Sequence, residues 1–102
     1  MKFYNRAVFA DGFTVSIQAS SMVYCSPRSN GEASYSSVEL GYPNRKCEII
    51  ADYAEDISNP EGTVYGYVPS FVVLNMIKAH GGLVSGEIPP LMPYAEEEKE
   101  EE

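Results

Sequence analysis

The sequence predicts an α+β domain: a small antiparallel β-sheet of four to five strands, the first two a hairpin, with one C-terminal helix packed on one face. Three observations carry this reading. Asp11-Gly12 separates two β-prone runs, Phe13 to Ser20 alternates with a period of two, and a ten-residue helical segment after Pro69 runs into Gly81-Gly82. For 102 residues one domain is the natural count. Residues 1–93 are expected to form it, with 94–102 an acidic disordered tail.

Ala7–Ala10 and Phe13–Ala19 flank Asp11-Gly12, a strong hairpin signal that predicts a two-residue type I′ turn. In the second strand Phe13, Val15, Ile17 and Ala19 share one face, and Thr14, Ser16, Gln18 and Ser20 share the other. That pattern places the first set on a core and the second toward solvent or a ligand. Ser20 to Tyr35 then forms a loop of sixteen residues, long enough to be either functional or disordered. Ser36–Tyr42 alternates again and ends at Pro43-Asn44. The apolar run Cys47–Tyr53 reads as a further strand centred on Ile49-Ile50-Ala51. A loop over 56–62, rich in Pro, Asn and Gly, precedes the strand Thr63–Val68, with Tyr65 and Tyr67 on one side. Pro69 or Ser70 opens the helix, and Gly81-Gly82 stops it. His80 falls in the last turn, where the helix dipole favours a cation. Leu83-Val84 suggests a short edge strand, beyond which Pro89, Pro90 and Pro93 oppose regular structure.

The net charge is −8, of which the segment Glu96–Glu102, six Glu and one Lys, contributes −5. The remaining −3 comes from nine acids and six scattered bases, a balance that disfavours nucleic-acid phosphates. No stretch nears the roughly twenty apolar residues of a membrane span, and no secretory leader is legible. An intracellular setting with reduced thiols is therefore expected. Two cysteines and one histidine lack metal-ligand spacing, so neither a metal nor another cofactor is expected.

Three constellations are candidates for chemistry. Cys25 is a possible nucleophile with His80 as its base and Arg28 nearby, although no third orienting group is identifiable. The acidic run Asp52, Glu55 and Asp56, with Glu61, lacks the spacing of a calcium loop and reads as a solvated surface, or as a face for a basic partner. The polar strand face continuing into the loop (Gln18, Ser20, Tyr24, Cys25 and Arg28, with Tyr65 nearby) is the best ligand-contact surface. Amides and hydroxyls donate and accept there, arginine grips phosphate and tyrosine stacks on a base. The plainer reading is a solvent-facing strand and a loose loop.

Phe9–Ser20 (FADGFTVSIQAS), Tyr24–Arg28 (YCSPR), Val38–Pro43 (VELGYP), Ala51–Asp56 (ADYAED) and Val64–Pro69 (VYGYVP), with His80–Gly82, carry a resemblance. Together they resemble a group of short phage and prophage accessory proteins. These share a (D/N)G-(F/Y)-x-V-S-(V/I)-Q-A-S strand, a Y-C-x-P-R loop and a V-Y-G-(Y/W)-V-P strand leading into a helix. The resemblance spans most of residues 3–90 and leaves the Glu-rich tail outside. It implies a phage setting in the host cytoplasm and counter-defence by stoichiometric, non-enzymatic binding. The partner would be a host defence protein, or a small nucleotide ligand held by an oligomer with pockets between copies. A virion or assembly component and a small enzyme using Cys25 are the alternatives.

Overall fold

The computed structural model describes residues 1–93, so the acidic tail lies outside the described residues. Five strands, β1 (Ala7–Phe9), β2 (Thr14–Gln18), β3 (Ser37–Gly41), β4 (Val64–Pro69) and β5 (Leu83–Ser85), form one sheet in the order β4-β3-β2-β1-β5. Every neighbouring pair is antiparallel. The helix α1 (Ser70–Ala79) leaves β4 at one edge and delivers the chain to β5 at the other. Among the described residues the expected α+β class, leading hairpin and one α-helix are present.

The core fills the face predicted from the alternation. Phe13, Val15, Ile17 and Ala19 are buried, as are Val38 and Leu40 of β3, and Val72, Val73 and Met76 of α1 pack into the same cluster. The helix ends as its glycines require. The Gly82 N–H donates to the Ile77 carbonyl (3.0 Å) and the Gly81 N–H to that of Lys78 (3.1 Å), with Gly81 at φ +88°. This pair of bonds caps the carbonyls of the last turn and needs a left-handed residue at Gly81.

Three local expectations are corrected. The hairpin loop is Ala10-Asp11-Gly12, not a two-residue type I′ turn. Gly12 N–H donates to the Phe9 carbonyl (3.0 Å), Phe9 N–H to that of Phe13 (2.9 Å), and only Gly12 (φ +92°) is left-handed. This is the three-residue connection in which glycine forms the bulge, and the Asp11 carboxylate stabilises it by accepting the Phe13 N–H at 3.0 Å.

The run Cys47–Tyr53 is not a strand. Glu48–Tyr53 forms a 3₁₀ helix that buries Ile50 completely and leaves Ile49 39% exposed. Finally, Tyr65 and Tyr67 do not share a face. Val38 pairs with Val68 and Leu40 with Tyr65, so Gly66 and Tyr67 together oppose Glu39 in a bulge, with Tyr67 at φ +52°. Tyr65 is thereby in the core and Tyr67 on the surface.

The loop 20–35 folds onto the sheet. Cys25 and Tyr35 are fully buried, Ser26 bridges to Ser37, and the Tyr35 hydroxyl donates to the Ser29 carbonyl at 2.8 Å. The segment after β5 runs beside it, with Tyr35 N–H donating to the Pro90 carbonyl and Met92 N–H to that of Tyr35, both at 2.9 Å.

Candidate functional site

Of the six residues proposed to contact a ligand, four point inward. Gln18 is buried because residues before β1 lie across its face. Its Oε1 accepts the Tyr4 N–H at 2.9 Å and its Nε2 donates to the Tyr4 carbonyl at 2.7 Å. The side-chain amide thus replaces the neighbouring strand that Tyr4 lacks, satisfying a backbone that would otherwise lose water without compensation. Ser20 is buried with its Oγ accepting the Met22 N–H, and the Cys25 thiol donates to the Ser20 carbonyl at 3.2 Å. Tyr65 is buried and donates its hydroxyl to the Pro60 carbonyl at 2.6 Å. These four are corrected from surface contacts to parts of the interior.

A prediction follows from Gln18. In Gln18→Glu the carboxylate can still accept from Tyr4 N–H but faces the Tyr4 carbonyl with no donor. A loss of about 2–3 kcal/mol is expected in urea denaturation. Amide exchange at Tyr4 should accelerate in step, and a loss below about 0.5 kcal/mol would show that the pairing contributes little.

Tyr24 and Arg28 do reach the surface, where Tyr24 meets Tyr67. The Tyr24 and Tyr67 rings stack with centroids 5.7 Å apart, and the Arg28 guanidinium lies 5.3 Å from the Tyr24 centroid. The backbone fixes the pair: Tyr67 N–H donates to the Tyr24 carbonyl at 3.0 Å. Gly66 permits the approach, since a Cβ there would sit 3.2 Å from the Tyr24 Cβ. Tyr24 is 39% and Tyr67 48% exposed, a large aromatic area left toward solvent.

Glu39 borders this surface, accepting the Tyr24 N–H at 3.3 Å. Partial burial raises its pKa, the Tyr24 N–H opposes that, and the charges of Glu55 and Arg28 act in opposite senses. The proposed acidic face is exposed at Asp52, Glu55 and Asp56, and the charge of Glu55 acts on Glu39. Asp56 is partly engaged locally, its Oδ1 accepting the Ser58 N–H at 3.1 Å.

A second cluster gathers residues far apart in sequence. The His80 Nδ1 lies 2.7 Å from Asp11 Oδ2, and its Nε2 lies 3.5 Å from the Cys47 sulfur. The imidazole stacks on Phe13, centroids 4.0 Å apart and planes at 11°. Arg45 donates to the same Asp11 oxygen at 3.0 Å. Two backbone bonds bring the pieces together, Ala10 N–H to the Gly82 carbonyl (3.0 Å) and Asp11 N–H to the His80 carbonyl (3.2 Å). The expected partnership of Cys25 with His80 is therefore replaced by one with Cys47. Sequence could have flagged His80 and Asp11, each beside a glycine turn. Their adjacency depends on β5 returning to β1.

Comparison with protein-family models, with curated proteins and with solved structures finds no match to this chain. Among the described residues no concave pocket, no metal-binding group of His, Cys, Asp or Glu, and no helix long and apolar enough to cross a membrane is present. Both cysteines are free thiols.

Asp11 makes the fold sensitive to acid. The hydrogen bond from His80 lowers its pKa most, followed by the Phe13 N–H, with Arg45 adding to the effect. Glu87 is lowered likewise, by the Asn5 N–H and then by Lys2. The folded state holds these protons less tightly than the unfolded chain. Their stabilisation is complete above the ordinary values of 3.8 and 4.5 and disappears as pH falls through the lower folded values. Glu39, raised by burial, acts in the opposite sense, its contribution falling as pH rises. A thermal midpoint that drops as pH falls through and below the ordinary carboxylate values, less steeply in Asp11→Asn, is the expected result. Identical slopes in the two proteins would remove Asp11 from this account.

Proposed function

We propose that this chain is a phage-encoded binding protein that acts stoichiometrically against host defence, by covering a site on a host protein. Its contact surface is centred on Tyr24, Tyr67 and Arg28 and flanked by Glu39. The single observation that carries this reading is the left-handed backbone of Tyr67. A bulky residue at φ +52° costs of order 1–3 kcal/mol, and such strain concentrates at clamps and recognition surfaces. Here the strained residue presents an exposed ring already stacked against a second one. Tyrosine and arginine dominate interface hot spots, and an aromatic pair fixed before binding loses little freedom on contact.

Charge favours a protein partner over a free nucleotide. The Glu39 carboxylate borders the patch and feels the charges of Glu55 and Arg28, and it would repel a phosphate that Arg28 alone attracts. A target with apolar and basic residues suits this surface, and Asp52 and Asp56 extend its acidic side. The phage setting and the host cytoplasm as place of action rest on the sequence resemblance.

Affinity capture of the protein from phage-infected cells, followed by native mass spectrometry, tests the proposal. One host protein at a fixed ratio is expected with the wild type. Affinity should fall by at least about tenfold in Tyr24→Ala and in Tyr67→Asn, since asparagine tolerates the same backbone. Retention of a nucleotide in place of a protein, incorporation into virions, or a partner that binds both variants equally would each refute it.

A further inference from the structure

We propose that Cys47 is a nucleophilic thiol, deprotonated by His80 and oriented through Asp11, that reacts with small hydroperoxides. The three groups form a chain in the order that nucleophilic sites require. The sulfur faces Nε2 at 3.5 Å, and the carboxylate faces Nδ1 at 2.7 Å, where Nδ1–H donates to it. Asp11 thereby selects the tautomer whose Nε2 lone pair points at the thiol, the same division of roles as in acyl-transfer triads. Phe13 fixes the ring plane beneath, and the Phe9 ring lies 6.2 Å from the imidazole.

Arg45 is paired to Asp11, Lys78 stands in the last turn of the helix before His80, and Lys46, paired to Glu48 at 3.3 Å, adjoins Cys47 in sequence. Tyr65 is the additional titratable group that feels Cys47. Cys25 supplies an internal comparison. Its thiol donates to the Ser20 carbonyl at 3.2 Å, an acceptor that cannot remove the proton.

Cover over the sulfur selects the reagent. Cys47 is 5% exposed, while the His80 side chain is 13% and the Asp11 side chain 39% exposed, so the cluster grades from covered sulfur to open carboxylate. Only a reagent of a few atoms fits that access. In the reaction the Cys47 proton passes to His80 Nε2 and the thiolate attacks one peroxide oxygen. The O–O bond breaks as the S–O bond forms, and the departing alkoxide or hydroxide takes the proton from the imidazolium. Cys47 is oxidised to the sulfenic acid, and the hydroperoxide is reduced to an alcohol or water. Asp11 acts through His80 and is a positioning residue.

The test exposes the native protein to hydrogen peroxide, removes the peroxide, then unfolds the protein in dimedone to trap sulfenic acid and maps both cysteines by peptide mass. Cys47 is expected to label at least about tenfold faster than Cys25. His80→Gln should slow it about a hundredfold and Asp11→Asn about tenfold, with Asp11→Asn also altering the pH dependence of labelling. The wild-type rate should be unchanged by urea below the unfolding transition. Equal labelling of the two cysteines, a rate that climbs with urea as global unfolding does, or an unaltered pH dependence in folded Asp11→Asn would overturn the proposal. If His80→Gln does not fold, the wild-type comparison of the two thiols and the urea series decide it.

Discussion

Phe13→Ala is expected to remove about 3–5 kcal/mol of stability, a large share of the roughly 5–15 kcal/mol that holds a domain of this size. Phe13 is fully buried and lies between other rings, with Phe9 at 6.0 Å and His80 at 4.0 Å. Arg45 covers it from outside, 5.6 Å from the ring centroid. Truncation therefore leaves a cavity where the hairpin meets the helix end, and the backbone bonds from Ala10 to Gly82 and from Asp11 to His80 resist its closing. The Asp11–Phe13 backbone bond survives, because it uses the Phe13 N–H. Urea unfolding of Phe13→Ala and Phe13→Leu measures the effect, with the leucine variant losing less. A loss under about 1 kcal/mol in the alanine variant would contradict the packing. The His80 imidazole should also lose its fixed plane, visible as narrowed dispersion of its ring resonances.

Gly86→Ala is expected to cost about 2–4 kcal/mol, and its comparison with Gly12→Ala separates two causes. Both glycines are left-handed, at φ +88° and +92°. Around Gly12 the space is open, so alanine there pays only for the backbone, about 1 kcal/mol. At Gly86 an added Cβ would overlap the Arg6 carbonyl and come within 2.8 Å of the Ala7 Cα. Neither neighbour is a flexible side-chain tip that can move aside. Relief requires β5 to separate from β1, and with it go the Glu87 N–H bond to the Asn5 carbonyl (3.1 Å) and the Asn5 N–H bond to Glu87 Oε1 (2.8 Å). Equal losses in the two variants would show that the contact at Gly86 carries no extra cost. Hydrogen exchange should place the damage at residues 5–9 and 83–87.

The parts of the fold legible in the sequence are those with a clear period or a stop signal. Phe13 to Ala19 alternates without exception, and Gly81-Gly82 closes a helix-length segment. The 3₁₀ helix was hidden because Ile49-Ile50-Ala51 is apolar without periodicity, and a short apolar run does not distinguish strand from helix. Bulges insert residues that period-two reading cannot see, which is how Tyr65 and Tyr67 came apart. The candidate site was obscured for a different reason. Gln18 reads as solvent-facing until Tyr4 is known to lie beside it, and residues 11, 45, 47 and 80 converge only through sheet topology. Local pattern carries the elements, whereas which polar groups meet is decided by distant returns of the chain.

The position of β1 between β2 and β5 has a consequence for synthesis. A nascent chain can pair β1 with β2 as soon as the hairpin leaves the ribosome, but the opposite side of β1 stays bare until Ser85 has emerged. For most of translation the half-built sheet thus displays a row of unmatched amides able to recruit a neighbouring polypeptide. Cells making this protein quickly, many ribosomes to a message, would meet that hazard in the unfinished chains and not in the completed ones.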